Sequence, residues 1–285
     1  SRGLGDVYKR QIGMGSYKND SKLIAFFGRI SYDWDGKYLL TASLRHEGSS
    51  KFGKNNKWGN FPAVSIGWRI SNESFMEPSH SWLNDLKIRA DYGESGNQNF
   101  GSYMSLATMA GYGYSYINGR YLQGWGASKN PNPDLKWERA KNWNIGLDFA
   151  FLNGRINGTI EYYNKDTKDM IWDYPVSTAI YPVDKLTANV GKMRNRGIEV
   201  SINAVPVQSR DWNWTTSLNF SHNKNEVVSV SNPGAGFNAG IINRYNPSLG
   251  VSTATIQRII EGEPIGTFYM WQWGGYNENG ISQFY

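Results

Sequence analysis

The chain has 285 residues, 15% of them aromatic, with 12 Trp, 18 Tyr, 32 Gly and no Cys, and its mean hydropathy of -0.57 is that of a polar protein. The lack of Cys excludes disulfide frameworks, thiolate nucleophiles and Cys-bound metals, and no apolar run reaches the roughly 18 residues of a membrane-spanning helix. The formal charge of +6 is scattered over 30 Lys and Arg and 24 Asp and Glu, without the basic stripe that a nucleic-acid partner would require.

Residues 1–11 are charged throughout and contain no apolar signal segment. Beyond them the dominant regularity is period-two alternation in blocks of about ten residues, the length a tilted strand needs to cross a bilayer. The first block, 22–33, places Ile24, Phe26, Ile30 and Tyr32 on one face; an Asp35-Gly36 turn leads to the second, 37–47, where Tyr38, Leu40, Ala42 and Leu44 alternate with Thr41, Ser43 and Arg45. In the third, 61–70, Val64, Ile66, Trp68 and Ile70 oppose Ser65, Gly67 and Arg69. In the fourth, 85–94, Leu86, Ile88, Ala90 and Tyr92 oppose Lys87, Arg89 and Asp91.

A fifth and a sixth block flank Asn153-Gly154, a pair suited to a two-residue hairpin turn: Trp143, Ile145, Leu147 and Phe149 lead in, and Ile156, Ile160 and Tyr162 lead out. The seventh, 196–204, alternates Ile198, Val200 and Ile202 with Glu199, Ser201 and Asn203, and the eighth sets Trp214, Leu218 and Phe220 against Thr215, Ser217 and Asn219. Connections alternate too. Those at 34–36, 153–154 and 208–211 are short, whereas 48–60, 95–138, 167–195 and 224–255 are long, and 71–84 is the one longer link on the short side. Short turns at one end and long loops at the other, with aromatics at the strand ends, are the pattern of an outer-membrane β-barrel. A soluble, extracellular β-rich domain that binds or hydrolyses carbohydrate is the alternative, and it requires the apolar faces to share one core.

Chemistry leaves little trace. His46, His80 and His222 lie far apart, no H-E-x-x-H or phosphate-binding loop is present, and Gly111-Tyr-Gly113 lacks the rest of a dinucleotide fingerprint. The expectation is therefore a non-enzyme with no catalytic residue, no metal and no cofactor. Sugar recognition calls for aromatic platforms beside amides. The long loops offer Tyr112, Tyr114, Tyr116, Trp125, Trp172 and Tyr181 as candidate substrate contacts, the competing reading being that they pack loop against loop or sit at the membrane interface.

Several phrases, in order, carry a resemblance: Gly-Lys-Tyr-Leu-Leu-Thr-Ala-Ser-Leu-Arg at 36–45 with Gly-Ser-Ser-Lys-Phe-Gly at 48–53, Phe-Pro-Ala-Val-Ser-Ile-Gly-Trp-Arg-Ile at 61–70, and the run from Trp82 through Gly-Glu-Ser-Gly-Asn-Gln at 93–98. Asn-Pro-Asp-Leu-Lys-Trp-Glu at 132–138, Asn-Val-Gly-Lys-Met-Arg-Asn-Arg-Gly-Ile-Glu at 189–199 and Gly-Glu-Pro-Ile-Gly-Thr-Phe-Tyr at 262–269 follow. The chain resembles the SusC/RagA family of TonB-linked outer-membrane transporters. That resemblance implies an all-β fold, an antiparallel segment of about eight strands from a barrel of roughly 22, with long extracellular loops. It divides the chain into 1–21, a leader foreign to the family or an artefact plus a lead-in, and 22–285, part of the barrel domain, with the plug, the TonB-contacting segment and the closing strands outside the sequence. It further implies import of large nutrients, glycans or peptides, across the outer membrane of a Gram-negative bacterium. The implied partners are a SusD-like lipoprotein, the TonB–ExbB–ExbD complex and outer-membrane lipid.

Overall fold

The computed structural model describes residues 18–230, 257–268 and 270–284, with the backbone alone for 241–244. The expected leader at 1–11, and most of the expected loop at 224–255, lie outside the described residues. In chain order the strands are β1 (Leu23–Trp34), β2 (Tyr38–Ser49), β3 (Trp58–Arg69), β4 (Leu83–Asn97), β5 (Thr108–Ile117), β6 (Arg120–Lys129), β7 (Glu138–Phe151), β8 (Ile156–Pro175), β9 (Lys185–Gln208) and β10 (Asn213–Ser229). Short pieces β11 (Ile241–Arg244), β12 (Gln257–Ile260) and β13 (Thr267–Phe268) pair together, as do β14 (Trp273–Tyr276) and β15 (Ser282–Phe284).

Eight strands form one antiparallel sheet in the order β1-β2-β3-β4-β7-β8-β9-β10, and these correspond to the eight alternating blocks. Because each strand pairs with the next, all the short turns fall at one end. At Asp35-Gly36 both residues adopt positive φ and Lys37 N–H donates to Trp34 O at 3.0 Å, the tight geometry whose twist suits a hairpin. The link between β3 and β4 is the expected exception and is built of two 3-10 turns, Ile70–Asn72 and Ser74–Ser79.

Register sorts the side chains cleanly. One row across the sheet reads Trp34, Tyr38, Trp68, Ile88, Leu147, Ile160, Val200, Phe220; the next reads Tyr32, Leu40, Ile66, Ala90, Ile145, Tyr162, Ile198, His222. The opposite face reads Ser31, Thr41, Ser65, Asp91, Asn144, Tyr163, Gly197, Asn223 along one row. A one-residue slip anywhere would exchange these faces, so the alternation itself fixes the register.

Strand lengths depart from expectation at the loop end. β8 and β9 run for 20 and 24 residues, so most of 167–195, expected as loop, continues the ladder after an irregularity between Thr167 and Met170. Expected loop 95–138 contains the β5–β6 hairpin. The signal for it lay in the sequence at Asn118-Gly119, where both residues adopt the positive φ of a two-residue turn.

Candidate functional site

The apolar face of the sheet is open: Ile30 is 75% and Leu218 61% exposed. The most deeply buried side chains sit instead among the loops and turns, with Phe52 at 1% and Leu135 at 0%. A soluble β-sandwich inverts this arrangement and buries its apolar face against a second sheet.

Aromatic side chains line both margins of the apolar band. Trp34 and Tyr38 lie 5.9 Å apart, and Trp82 stacks on Phe151 at 5.9 Å on the short-turn side. At the other margin Trp143 meets Tyr162 at 5.4 Å, and Trp58 stacks on His46 at 4.7 Å. The short-turn margin is pinned from beneath, where Tyr38 Oη–H and Trp68 Nε1–H both donate to Glu73 Oε1. These bonds, the Tyr38 hydroxyl first, hold the Glu73 carboxyl below its usual range.

The polar face carries a charge network centred on Arg89. Its guanidinium pairs with Glu161 and with Asp148 at 3.2 Å, and reaches Asp91 at 3.6 Å. Lys87 Nζ takes the other Asp148 oxygen at 2.7 Å, and Asn144 Nδ2 donates to Glu161 at 3.3 Å. Register explains the convergence, since Lys87 faces Asp148 directly and Arg89 faces Gly146, whose missing side chain admits the guanidinium. Lys87, Arg89, Asp91, Asp148 and Glu161 thus form one connected set of ion pairs on this face.

At the long-loop end, three connections are tied into one structure. Phe52, Phe61, Leu135 and Trp137 form a buried cluster, flanked by Phe100, Met104 and Ile171. Gly53 N–H donates to Leu135 O at 3.0 Å, and a Cβ at Gly53 would run into the carbonyl of Pro133. Asn55 and Asn56 donate to Asp134 at 2.9 and 3.1 Å, and Trp137 Nε1–H to Lys57 O at 3.0 Å. On the far side, Asn130 donates to the carbonyls of Val183 and Lys185 and accepts from Val183 N–H. Asn189 accepts from Lys136 N–H at 3.0 Å while donating to Lys136 O and Asp169 O at 2.8 Å. The segment 130–137 is thus a strap between the first and third loops, which gives two of the resemblance-bearing phrases, those at 132 and 189, a structural role.

The six aromatic candidates divide into two groups. Trp172 and Tyr181 are partly buried against Tyr174, Leu186, Ala188 and Val190. The other four lie on the β5–β6 hairpin, where Tyr114 is 69% and Trp125 65% exposed. A bulge between Tyr112 and Tyr114 shifts the register, pairing Tyr112 with Gly124 and Tyr114 with Gln123. Bulges re-aim side chains, and here Tyr112 turns to the opposite face, where its hydroxyl donates to Ala127 O at 3.1 Å. Tyr114, Tyr116 and Trp125 share one face with Tyr121 and Gln123, and the rings of Tyr116 and Tyr121 lie 5.0 Å apart. Sequence reasoning omitted Tyr121 and Gln123, because alternation across an unrecognised hairpin could not be read. No group of three or more His, Asp or Glu suited to a metal occurs among the described residues.

An apolar face bounded by two aromatic margins, a charged opposite face, and short turns opposed by knitted long loops define a section of outer-membrane β-barrel wall. The chain belongs to the TonB dependent receptor-like, beta-barrel family, which it matches over residues 2–283. It is 36% identical to TonB-dependent receptor P39 of Formosa agariphila over 263 residues, covering 92% of this chain and 23% of that protein. It is also 36% identical to TonB-dependent receptor SusC of Bacteroides thetaiotaomicron over 219 residues, 76% of this chain and 22% of that protein. Its fold matches the RagAB peptide transporter with a TM-score of 0.79 at 28% identity, covering 93% of this chain and 27% of that one. The chain thus spans roughly a quarter of the length of these relatives. The family is one of receptors and transporters rather than enzymes.

Proposed function

We propose that this chain supplies part of the wall and outer mouth of a TonB-dependent importer in the outer membrane of a Gram-negative bacterium, taking up glycans or peptides. A SusD-like surface lipoprotein covers the mouth, and the TonB–ExbB–ExbD complex supplies energy through parts of the protein that precede this segment. The likeness to a peptide transporter supports peptide cargo, the resemblance to the SusC/RagA family extends the reading to glycans, and the charged inner face supports a polar passage.

The observation that carries a substrate role is the shared face of Tyr114, Tyr116 and Trp125, which Tyr121 and Gln123 extend. Flat rings beside an amide suit the apolar face and hydroxyl rim of a pyranose, or the side chains of an extended peptide. Trp172 and Tyr181 contribute by holding the third loop in place rather than by touching cargo.

The test is ligand titration and uptake with the complete transporter, comparing oligosaccharide and peptide libraries. Trp125→Ala should weaken binding by about tenfold, the equivalent of about 1.4 kcal/mol, with Tyr112→Phe unchanged. Unaltered affinity in Trp125→Ala refutes the hairpin as a cargo contact; a protein that binds neither library and is absent from the outer membrane refutes the transport reading.

A further inference from the structure

On the outward face, just beyond the aromatic margin formed by Trp143 and Tyr162, β3 and β4 part company. Their pairing ends at Ala63 and Gly93, while β4 continues alone along β7 to Asn97. The rings of Phe61 and Trp137, 5.4 Å apart, fill the separation, and beside them lies a cleft of about 400 Å³ between Trp58 and the ends of β7 and β8. Its strand-borne lining points away from the polar interior: Lys141 and Arg139 follow Trp143 on the same face of β7, and Lys168 is Arg139's register partner on β8. Lys136 completes a set of four cations, and Trp58 and Trp137 form apolar walls.

Counter-charge is incomplete. Lys136 pairs with Asp169 at 2.9 Å, and Lys141 and Arg139 share the single carboxylate of Glu94 at 3.0 and 3.5 Å. Lys168 makes none of the described ion pairs. Four cations thus face two carboxylates. A third carboxylate, Asp166, is Lys141's register partner on β8, but it arrives with a cation of its own, Arg194 at 2.7 Å, so the excess of positive charge is unchanged. A surplus of two positive charges beside the lipid boundary disfavours contact with neutral hydrocarbon and favours an anion of matching charge.

We propose that this cleft binds the phosphorylated sugar headgroup of an outer-leaflet glycolipid. The phosphate meets Lys168, Arg139 and Lys141, and the sugar ring rests against Trp58. Position selects this occupant: the cleft opens sideways at the level where the apolar band ends, so its neighbour in the membrane is a headgroup rather than incoming cargo. The inference rests on the outer-membrane reading above.

The experiment uses the complete transporter, purified from membranes and placed in phosphatidylcholine nanodiscs doped with bis-phosphorylated lipid A, dephosphorylated lipid A or phosphatidylglycerol, with bound lipid counted by native mass spectrometry. Phosphorylated lipid A should be retained preferentially. The double variant Arg139→Gln/Lys168→Gln should weaken retention about tenfold or more, since charge-assisted bonds are lost. Asp169→Asn should strengthen it, and inorganic phosphate alone should compete poorly. Equal retention of the dephosphorylated lipid, equal retention of phosphatidylglycerol, full displacement by free phosphate, or no effect of the variants overturns the site. So does a double variant that releases a protein partner but keeps its lipid. Heat-modifiable migration of wild type and variants separates the outcomes: a protein that never enters the membrane fails the outer-membrane reading itself, whereas one that inserts and binds all lipids alike fails only this inference.

Discussion

Tyr38 and Trp68 face one another across β2 and β3 and donate to the same oxygen of Glu73, at 2.7 and 3.0 Å. Two margin aromatics on neighbouring strands are thereby locked to the turn beneath them.

The lock has a pH signature. Since the Tyr38 hydroxyl, and then the Trp68 indole, lower the Glu73 carboxyl from its ordinary 4.5, its contribution to stability is complete above that value. It is lost as pH falls through the lower value of the folded state. Unfolding of the complete protein in detergent, followed by Trp fluorescence, should show stability declining over this acid range. Glu73→Gln should be less stable at neutral pH, and its stability should converge on wild type in acid.

Leu147 sits between Ile88 and Ile160 on the apolar face. Leu147→Arg in the full-length protein should cost about 2 to 4 kcal/mol near the bilayer midplane, measured by denaturant unfolding in lipid. Asn144→Ala, on the polar face three residues along β7, should cost less. A near-zero effect of the Arg substitution would contradict the assigned facing.

Arg89 reaches the carboxylates of Glu161 and Asp148. Arg89→Met removes charge-assisted bonds that contribute about 1.5 to 3 kcal/mol each when desolvated, and less for a side chain that is 22% exposed. We expect a lower thermal midpoint, partly restored by raising salt, which screens the stranded acids. Arg89→Lys should retain more of the stability than Arg89→Met.

Asn189 makes three hydrogen bonds with the backbone of Lys136 and Asp169. Asn189→Ala strands those groups and should loosen the strap at about 1 to 3 kcal/mol. Faster hydrogen exchange confined to residues 130–137 and the facing part of β9 should report it, with exchange in the apolar band unchanged. Gly53→Ala should release the other side of the strap, because its Cβ collides with Pro133.

The eight wall strands were legible because lipid and lumen impose opposite demands on successive side chains, and that contrast survives in a plain alternation such as 143–149. Above the band both faces of β9 are covered by loop, with Leu186, Ala188 and Val190 buried on one side and Thr187 and Asn189 on the other, so the lipid–lumen contrast disappears and β8 beyond Thr167 reads as loop although it is paired to Pro175. Pairing in that region is held by backbone bonds and by the small cluster of Trp172, Tyr174, Leu186, Ala188 and Val190, whose alternation is broken between Thr167 and Met170 by a change of register. The aromatic candidates were legible as residues but not as a surface. Which ring joins which face depends on one bulge at Gly113, and a bulge inserts a residue without any change in composition. The Arg89 network was readable as a polar face, but its convergence required the register that brings Gly146 opposite Arg89.

β9 begins at Lys185, and its apolar band begins only at Ile198. Some 13 residues of hydrogen-bonded strand, roughly 40 Å of ladder, therefore project past the lipid. On the β8–β9 side the wall is raised as a stiff rampart, while β2 and β3 end near the aromatic margin. A cap seated there would swing on a rigid sill, and force applied to it would pass straight down the wall instead of being absorbed by slack loops.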